Sequence, residues 1–299
     1  MRIFVTGATG WIGSAVVQEL LDAGHEVLGL ARSDASAAAL AAVGAQVHRG
    51  SLADLDSLRR AAAVADGVIH TAFNHEHDWS FASIVASAAT DRQAISAMAE
   101  AMAGSHKPLV IASGTASVSA LGRHATEADE PPNPDWPRVA TENFVRDASG
   151  IRGVIVRLPP TVHGAGDHGF MPRIVAQARA NGWAGYVGDG DNRWPAVHRF
   201  DAARAFVRGF EQAESGLRLH AVAEEGVTMR AIAETIGRGL GVPVRSVAPE
   251  QAAEAFGALG IFAAIDNPSS SALTRQRLGW VPEEIDLLAD MTANYMQAS

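Results

Sequence analysis

Six short apolar runs punctuate the first 160 positions, at 2–6, 26–31, 46–49, 67–71, 109–113 and 153–157. They alternate little between apolar and polar residues, which suits strands buried on both faces of a parallel sheet. Alanine-rich stretches at 11–23, 36–42, 58–63, 79–102 and 138–148 separate them and predict helices. Strand and helix therefore alternate. Right-handed crossovers turn that order into an α/β fold with a Rossmann-type doubly wound parallel sheet.

Beyond Arg157 the pattern breaks. Positions 159–195 are rich in Gly, Pro and Asn, with one predicted helix at 172–180. A strand at 196–199, a helix at 201–212 and a strand at 217–221 read as a return to the sheet. The tail predicts helices near 228–239, 249–256, 271–278 and 282–297. This organisation predicts a dinucleotide-binding domain from 1–160 plus 196–222. A smaller C-terminal substrate domain takes 161–195 plus 223–299.

Composition narrows the function classes. Hydrophobic residues at 47% and charged residues at 19% exclude a disordered chain. The net charge of −9, with no basic stripe, speaks against nucleic acid as a partner. The sequence has no cysteine, which removes disulfides, thiolate nucleophiles and cysteine-ligated zinc, and is compatible with the cytoplasm. No apolar run approaches ~18 residues, so no membrane span is expected. No secretory leader is expected either, because Met1–Val5 runs straight into glycines.

Gly7-Ala8-Thr9-Gly10-Trp11-Ile12-Gly13 follows the first strand and opens a helix. Glycines there permit a tight turn and close backbone approach to a pyrophosphate, and the helix N-terminus offers free N–H groups. Gly7, Thr9, Gly10, Trp11 and Ile12 are the expected phosphate-binding residues. The second strand ends in Ala31-Arg32-Ser33. Arg32 suits a ribose 2′-phosphate and Ser33 adds a hydroxyl, so NADP(H) is expected over NAD(H). The alternative is a solvated Arg32, with Asp34 holding the ribose.

These features resemble an atypical or extended short-chain dehydrogenase/reductase of the NAD(P)-dependent epimerase/dehydratase type. The likeness covers almost the whole chain. It runs from Thr6–Gly13 through Ile69-His70-Thr71-Ala72, Ile111–Val118, Arg157–Gly164, Gly188-Asp189-Gly190 and Val197–Asp201 to Leu278–Pro282. It implies that Ser51, Leu52, Thr71, Ala72, Pro159 and Val162 complete the cofactor site.

The family also implies a Ser/Thr and a Y-x-x-x-K pair. Thr115 matches the Ser/Thr, and Ser113 is a second candidate. The tyrosine position falls on Arg138 and the lysine position on Glu142. Lys107 is the only lysine, and neither Tyr186 nor Tyr295 has a lysine four residues on, so no Y-x-x-x-K exists here.

A proton source must then come from elsewhere. Asn74, His75 and His77 follow the fourth strand; His163, Asp167 and His168 follow the sixth; His124, Glu127 and Asp129 follow Thr115. His163 stands where relatives carry a tyrosine, and an imidazole exchanges protons near neutral pH. Thr115, His163 and His75 are the catalytic candidates. Asn74, His75, Ser113, Arg193 and Trp194 are the substrate-binding candidates. Arg193 matches an arginine that holds substrate diphosphate in nucleotide-sugar relatives, or it pairs with Asp189 or Asp191. Trp183, Tyr186 and Trp194 either line the pocket or form core. His198 and Asp201 are read as fixing a strand–helix junction, with Asp201 as the N-cap. The histidine pairs have ligand-like spacing, yet the resembled family works without metal and none is expected.

The leading expectation is an NADPH-dependent oxidoreductase that reduces a carbonyl or imine group of a small substrate. A non-catalytic NADP(H) sensor is the alternative, and a sugar-nucleotide epimerase or dehydratase the third. A homodimer through the helices at 79–102 and 138–148 is a further expectation.

Overall fold

The computed structural model describes residues 1–74, 81–119, 121–212 and 214–297. In chain order the elements are β1 (Arg2–Thr6), α1 (Trp11–Asp22), β2 (Glu26–Ala31), α2 (Asp34–Ala42), β3 (Gln46–Arg49), α3 (Leu55–Val64), β4 (Gly67–His70), α4 (Phe81–Ala101), β5 (Pro108–Gly114), α5 (Val139–Asp147) and β6 (Arg152–Leu158). There follow β7 (Thr161–His163), α6 (Phe170–Asn181), β8 (Ala184–Val187), β9 (Arg193–His198), α7 (Arg199–Gln212), β10 (Leu217–His220), β11 (Glu224–Thr228), α8 (Met229–Leu240), β12 (Val244–Val247), α9 (Ala252–Phe256), α10 (Gly260–Ala263), α11 (Ala272–Leu278) and α12 (Leu287–Asn294).

Seven strands form one sheet in the order β10-β6-β5-β4-β1-β2-β3, and every pair in it is parallel. Strand alternation sorts its side chains into two layers. Ile3 and Val5 pack with α1 and α7, while Phe4 packs with α3, α4 and α5. Both layers are sealed, which is why the strands read as continuous apolar runs.

The sequence reading places a strand at 196–199 in this sheet. The structure differs. That strand begins at Arg193 and pairs with β7 in parallel and with β11 antiparallel, in a separate three-stranded sheet. Only α7 and β10 return to the large sheet. The β8–β12 pair, α6, α8, α9 and α12 build a second apolar core around Trp194, Met171 and Ile232. The predicted helix at 282–297 shortens to α12 because Asp286 caps it, accepting from the Ala289 N–H at 2.7 Å. Among the described residues no helix is long and apolar enough to cross a membrane.

Candidate functional site

The loop between β1 and α1 is built for an anion. Gly7 takes φ +68°, and a Cβ there would lie 2.6 Å from the Ala72 nitrogen. A Cβ on Gly13 would stand 2.0 Å from the Gly7 carbonyl oxygen. Thr71 ties the β4 end to β1 through its hydroxyl, which donates to the Thr6 carbonyl at 2.9 Å. No side chain caps α1 at Gly10, which leaves N–H groups of its first turn without a side-chain partner. A glycine cradle that only backbone fits, below an uncapped helix start, suits a dinucleotide pyrophosphate. A nicotinamide dinucleotide held there would supply or accept a hydride.

The flanking candidates line the C-terminal edge of the sheet. Trp11 donates its indole N–H to the Val162 carbonyl at 2.8 Å, joining the loop to β7. Ser33 caps α2 by accepting from the Ser36 N–H at 3.1 Å. That bond occupies one acceptor site of the hydroxyl expected to face the ribose. Asp34, the alternative ribose ligand, is held instead by Arg49 at 2.6 Å. Ser51 and Leu52 follow β3 and are half-buried, as are Thr71, Ala72 and Asn74 after β4. Pro159 is buried at the β6–β7 junction. His75 and His77 lie outside the described residues.

The positions that carry tyrosine and lysine in the resembled family hold buried charge of the opposite pattern. Glu142 is fully buried and receives Arg157 from β6, with Nη2 to Oε2 at 2.7 Å and Nε to Oε2 at 3.1 Å. Ser113, 5% exposed, donates its hydroxyl to the same carboxylate, so its proton is directed away from a substrate. Arg138 enters α5 in the left-handed conformation, φ 74°, unusual for a non-glycine residue. Its guanidinium lies 4.7 Å from the Phe73 ring centroid, donates to the Ala112 carbonyl, and approaches Asp91 at 3.6 Å. Asp91 also takes His70 at 3.0 Å, and His70 meets Thr6 at 2.7 Å. Burial pushes the Asp91 carboxyl up, but the Arg138 charge and the His70 hydrogen bond outweigh it, and the net direction is down.

Thr115 sits in a single 3₁₀ turn after β5 and is fully buried. Its hydroxyl oxygen accepts the Asn267 amide at 2.9 Å. Asn267 did not emerge from sequence reasoning. It lies 152 positions away in an irregular segment, with no motif to mark it. Its place is set by Arg193. The Arg193 fork grips Asp266 at 3.1 and 2.9 Å, and its carbonyl takes the Asn267 N–H at 2.9 Å. Asn192 and Trp194 hold the same strap through the Ile265 carbonyl, each at 3.2 Å.

Arg193 therefore pairs with Asp266, rather than Asp189 or Asp191, and this fork is filled from within the protein. Its bond to Asp266 holds that carboxyl below the usual range. Trp194 is a correction: at 2% exposure, edge-on to Phe170, it is core and not pocket lining. An indole with its N–H satisfied internally is stably buried.

His163 lies in a buried polar cluster. Its ring is buried, with Nδ1 on Asp290 at 2.8 Å and the ring of His198 edge-on. Burial pulls its pKa down despite Asp290. Its Nε2 is buried without a hydrogen-bond partner among the described residues, and the ring is no more exposed than Thr115. Asp167 instead meets the Tyr295 hydroxyl at 3.0 Å, and His168 lies against Trp11. Asp201 is not a simple N-cap: it accepts the Glu283 and Glu284 N–H groups at 2.8 and 3.1 Å, fastening the C-terminal segment. Among the described residues no three His, Asp or Glu side chains converge as metal ligands.

A parallel doubly wound sheet with a glycine cradle at its first turn is the architecture of a dinucleotide-binding fold. The model of the NAD dependent epimerase/dehydratase family matches residues 3–222, and the chain belongs to that family. It is similar to an uncharacterised protein of Schizosaccharomyces pombe, 48% identical over 298 residues, covering 98% of this chain and 99% of the relative. It is also similar to the 2-alkyl-3-oxoalkanoate reductase of Stenotrophomonas maltophilia, 31% identical over 232 residues, covering 72% of this chain and 67% of the relative. Among solved structures, the human epimerase family protein SDR39U1 (isoform 2) with NADPH shares the fold, with a TM-score of 0.75 at 21% identity and full coverage of both chains.

Proposed function

We propose that this chain is an NADPH-dependent reductase of a carbonyl or imine group on a small substrate. The observation that carries the reading is the Thr115 hydroxyl: its oxygen accepts from the Asn267 amide, which leaves its own hydrogen free to donate. Reduction needs such a donor at the oxygen where negative charge develops. Oxidation of an alcohol needs a base at the same place. The two positions that supply one in relatives are here Arg138, which carries no base, and Glu142, which is spent on Arg157 and Ser113. That asymmetry favours reduction over epimerisation or dehydration. The reductase name of the Stenotrophomonas relative points the same way.

In this reading Gly7, Thr9, Gly10, Trp11 and Ile12 hold the pyrophosphate. Arg32 at the β2 end takes the 2′-phosphate, supported by the engagement of Asp34 with Arg49. Thr115 orients and polarises the substrate, and Asn267 sets the Thr115 rotamer. The final proton comes from solvent or, for an imine, is already on nitrogen before hydride transfer. The reading extends to a cytoplasmic enzyme that pairs through α4 and α5; a monomer in size-exclusion chromatography overturns the dimer.

A second reading, a non-catalytic NADP(H) sensor, is favoured by the closed Arg157–Glu142–Ser113 and Arg138–Asp91 ion networks. The test is NADPH consumption against ketones, aldehydes, 3-oxo esters and cyclic imines. Turnover supports the reductase; tight NADPH binding without turnover across the panel overturns it in favour of the sensor.

A further inference from the structure

Arg199 is the first residue of α7, and among the described residues its guanidinium pairs with no carboxylate. It lies over two aromatic faces, Trp11 at 4.5 Å and Phe200 at 4.7 Å from the ring centroids. Its stem also borders the backbone at Gly164, where a Cβ would meet the Arg199 Cγ at 3.4 Å. Trp11 is the first residue of α1, next to Gly10, and its indole is pinned to Val162. Arg199 thus stands at the edge of the glycine cradle.

Two pairings show how the helices lie. Glu19 meets Arg204 at 3.5 Å, and Glu211 meets His25 at 3.0 Å. Both pairs join α1, or the turn that ends it, to α7 in the same direction, so the helices run parallel and their N-termini lie side by side. Each N-terminus carries partial positive charge. A full positive charge added there is unfavourable unless an anion offsets it. Asp201, in the first turn of α7, is committed to Arg204 and to the Glu283 and Glu284 N–H groups. The Arg199 charge is thus held at the helix start by aromatic faces rather than by a paired carboxylate among the described residues. A guanidinium held over an aromatic face by a cation–π contact can still donate N–H groups to phosphate.

We propose that Arg199 is a pyrophosphate-binding residue of the dinucleotide site, contributed by α7 from outside the glycine motif. It rests on the dinucleotide reading of that loop. It acts on the pyrophosphate, whereas Arg32 acts on the 2′-phosphate, so the two separate by ligand.

The test is equilibrium binding of three probes to the full chain: NADPH, ADP-ribose, which has the pyrophosphate alone, and 2′-AMP, which has the 2′-phosphate alone. Arg199→Met keeps the stem on Trp11 and removes the charge. It is expected to weaken NADPH and ADP-ribose about tenfold and to leave 2′-AMP within about twofold. Arg199→Lys, a point charge without the fork, is expected to fall between. Unchanged NADPH and ADP-ribose affinity in Arg199→Met overturns the inference. So does an equal loss for 2′-AMP, which marks a general disturbance of the fold. A wild-type chain that binds none of the three overturns the dinucleotide reading as well.

Discussion

The two ends of the cleft are built on opposite principles. At the cofactor end, β1, a glycine turn and α1 follow one another within 22 residues, and the site is shaped by the absence of side chains. At the chemical end, Glu142 and Arg138 come from α5 and its N-cap, Arg157 from β6, Asp91 from α4 and Thr115 from a turn, and the site is shaped by paired charge. The first end keeps the form its family uses for NAD(P). The second replaces tyrosine and lysine by an arginine and a glutamate, each neutralised by a new partner. The lesson is that the binding function and the proton relay of one fold are separable, because nothing in the glycine cradle depends on which charges α5 carries.

The largest expected effect breaks the charged end. Glu142→Ala leaves Arg157 buried without its carboxylate and is expected to cost about 3–5 kcal/mol in urea unfolding. Replacing both residues with methionine is expected to recover most of that loss, because an apolar pair of similar volume removes the stranded charge. A double variant as unstable as Glu142→Ala would show that the pair is not the source.

The cofactor end breaks differently. Gly13→Ala forces a Cβ against the Gly7 carbonyl, and NADPH affinity is expected to fall about 100-fold. Alanine is the better helix former, so α1 itself should not suffer. Unaltered affinity in titration would sink the cradle account.

Acid sharpens the contrast, since it acts on the charged end. His220 lies in register with Arg157 across β10 and β6. Burial, and then the Arg157 charge, depress its pKa to about 3. The unfolded chain binds that proton near pH 6.5, while the folded chain refuses it until about pH 3. Stability is therefore full above about pH 6.5 and drains away as the pH falls, by about 2 kcal/mol at pH 5 from this residue. His163 and His198, both lowered by burial, add to the same trend. Unfolding free energies at pH 7 and pH 5 should differ less in His220→Asn; an identical pH slope would count against this assignment.

The smallest expected effect concerns cofactor choice. Arg32→Ala is expected to reduce the preference for NADPH over NADH about tenfold, with NADH affinity held. A preference that stays put would return the ribose to Asp34.

The same contrast explains what the sequence reveals. β1, β2 and β3 fall at the positions their apolar runs predict, and α1 starts at Trp11, because each is decided by neighbours in the chain. The glycine cradle is legible for that reason. The β9 pairing was not, because β7 and β11, its partners, are three- and five-residue strands whose register depends on tertiary contacts. Nor were the partners of the chemical residues. Asn267 reaches Thr115 over 152 positions, Asp290 reaches His163 over 127, and Asp266 reaches Arg193 over 73. A carboxylate or amide in an irregular segment carries no periodicity to announce its role. The missing tyrosine and lysine were visible at once, but not the ion pairs that replace them.

The central claim is that a hydroxyl donor, without the family relay, suffices for reduction here. The most direct measurement is NADPH consumption by the wild-type chain and by Thr115→Val, with NADPH affinity measured in parallel. The expected result is turnover on at least one carbonyl or imine substrate, reduced about 10²- to 10³-fold in the variant with NADPH affinity within about twofold. Equal turnover in both proteins would contradict it, as would NADPH binding with no consumption in either.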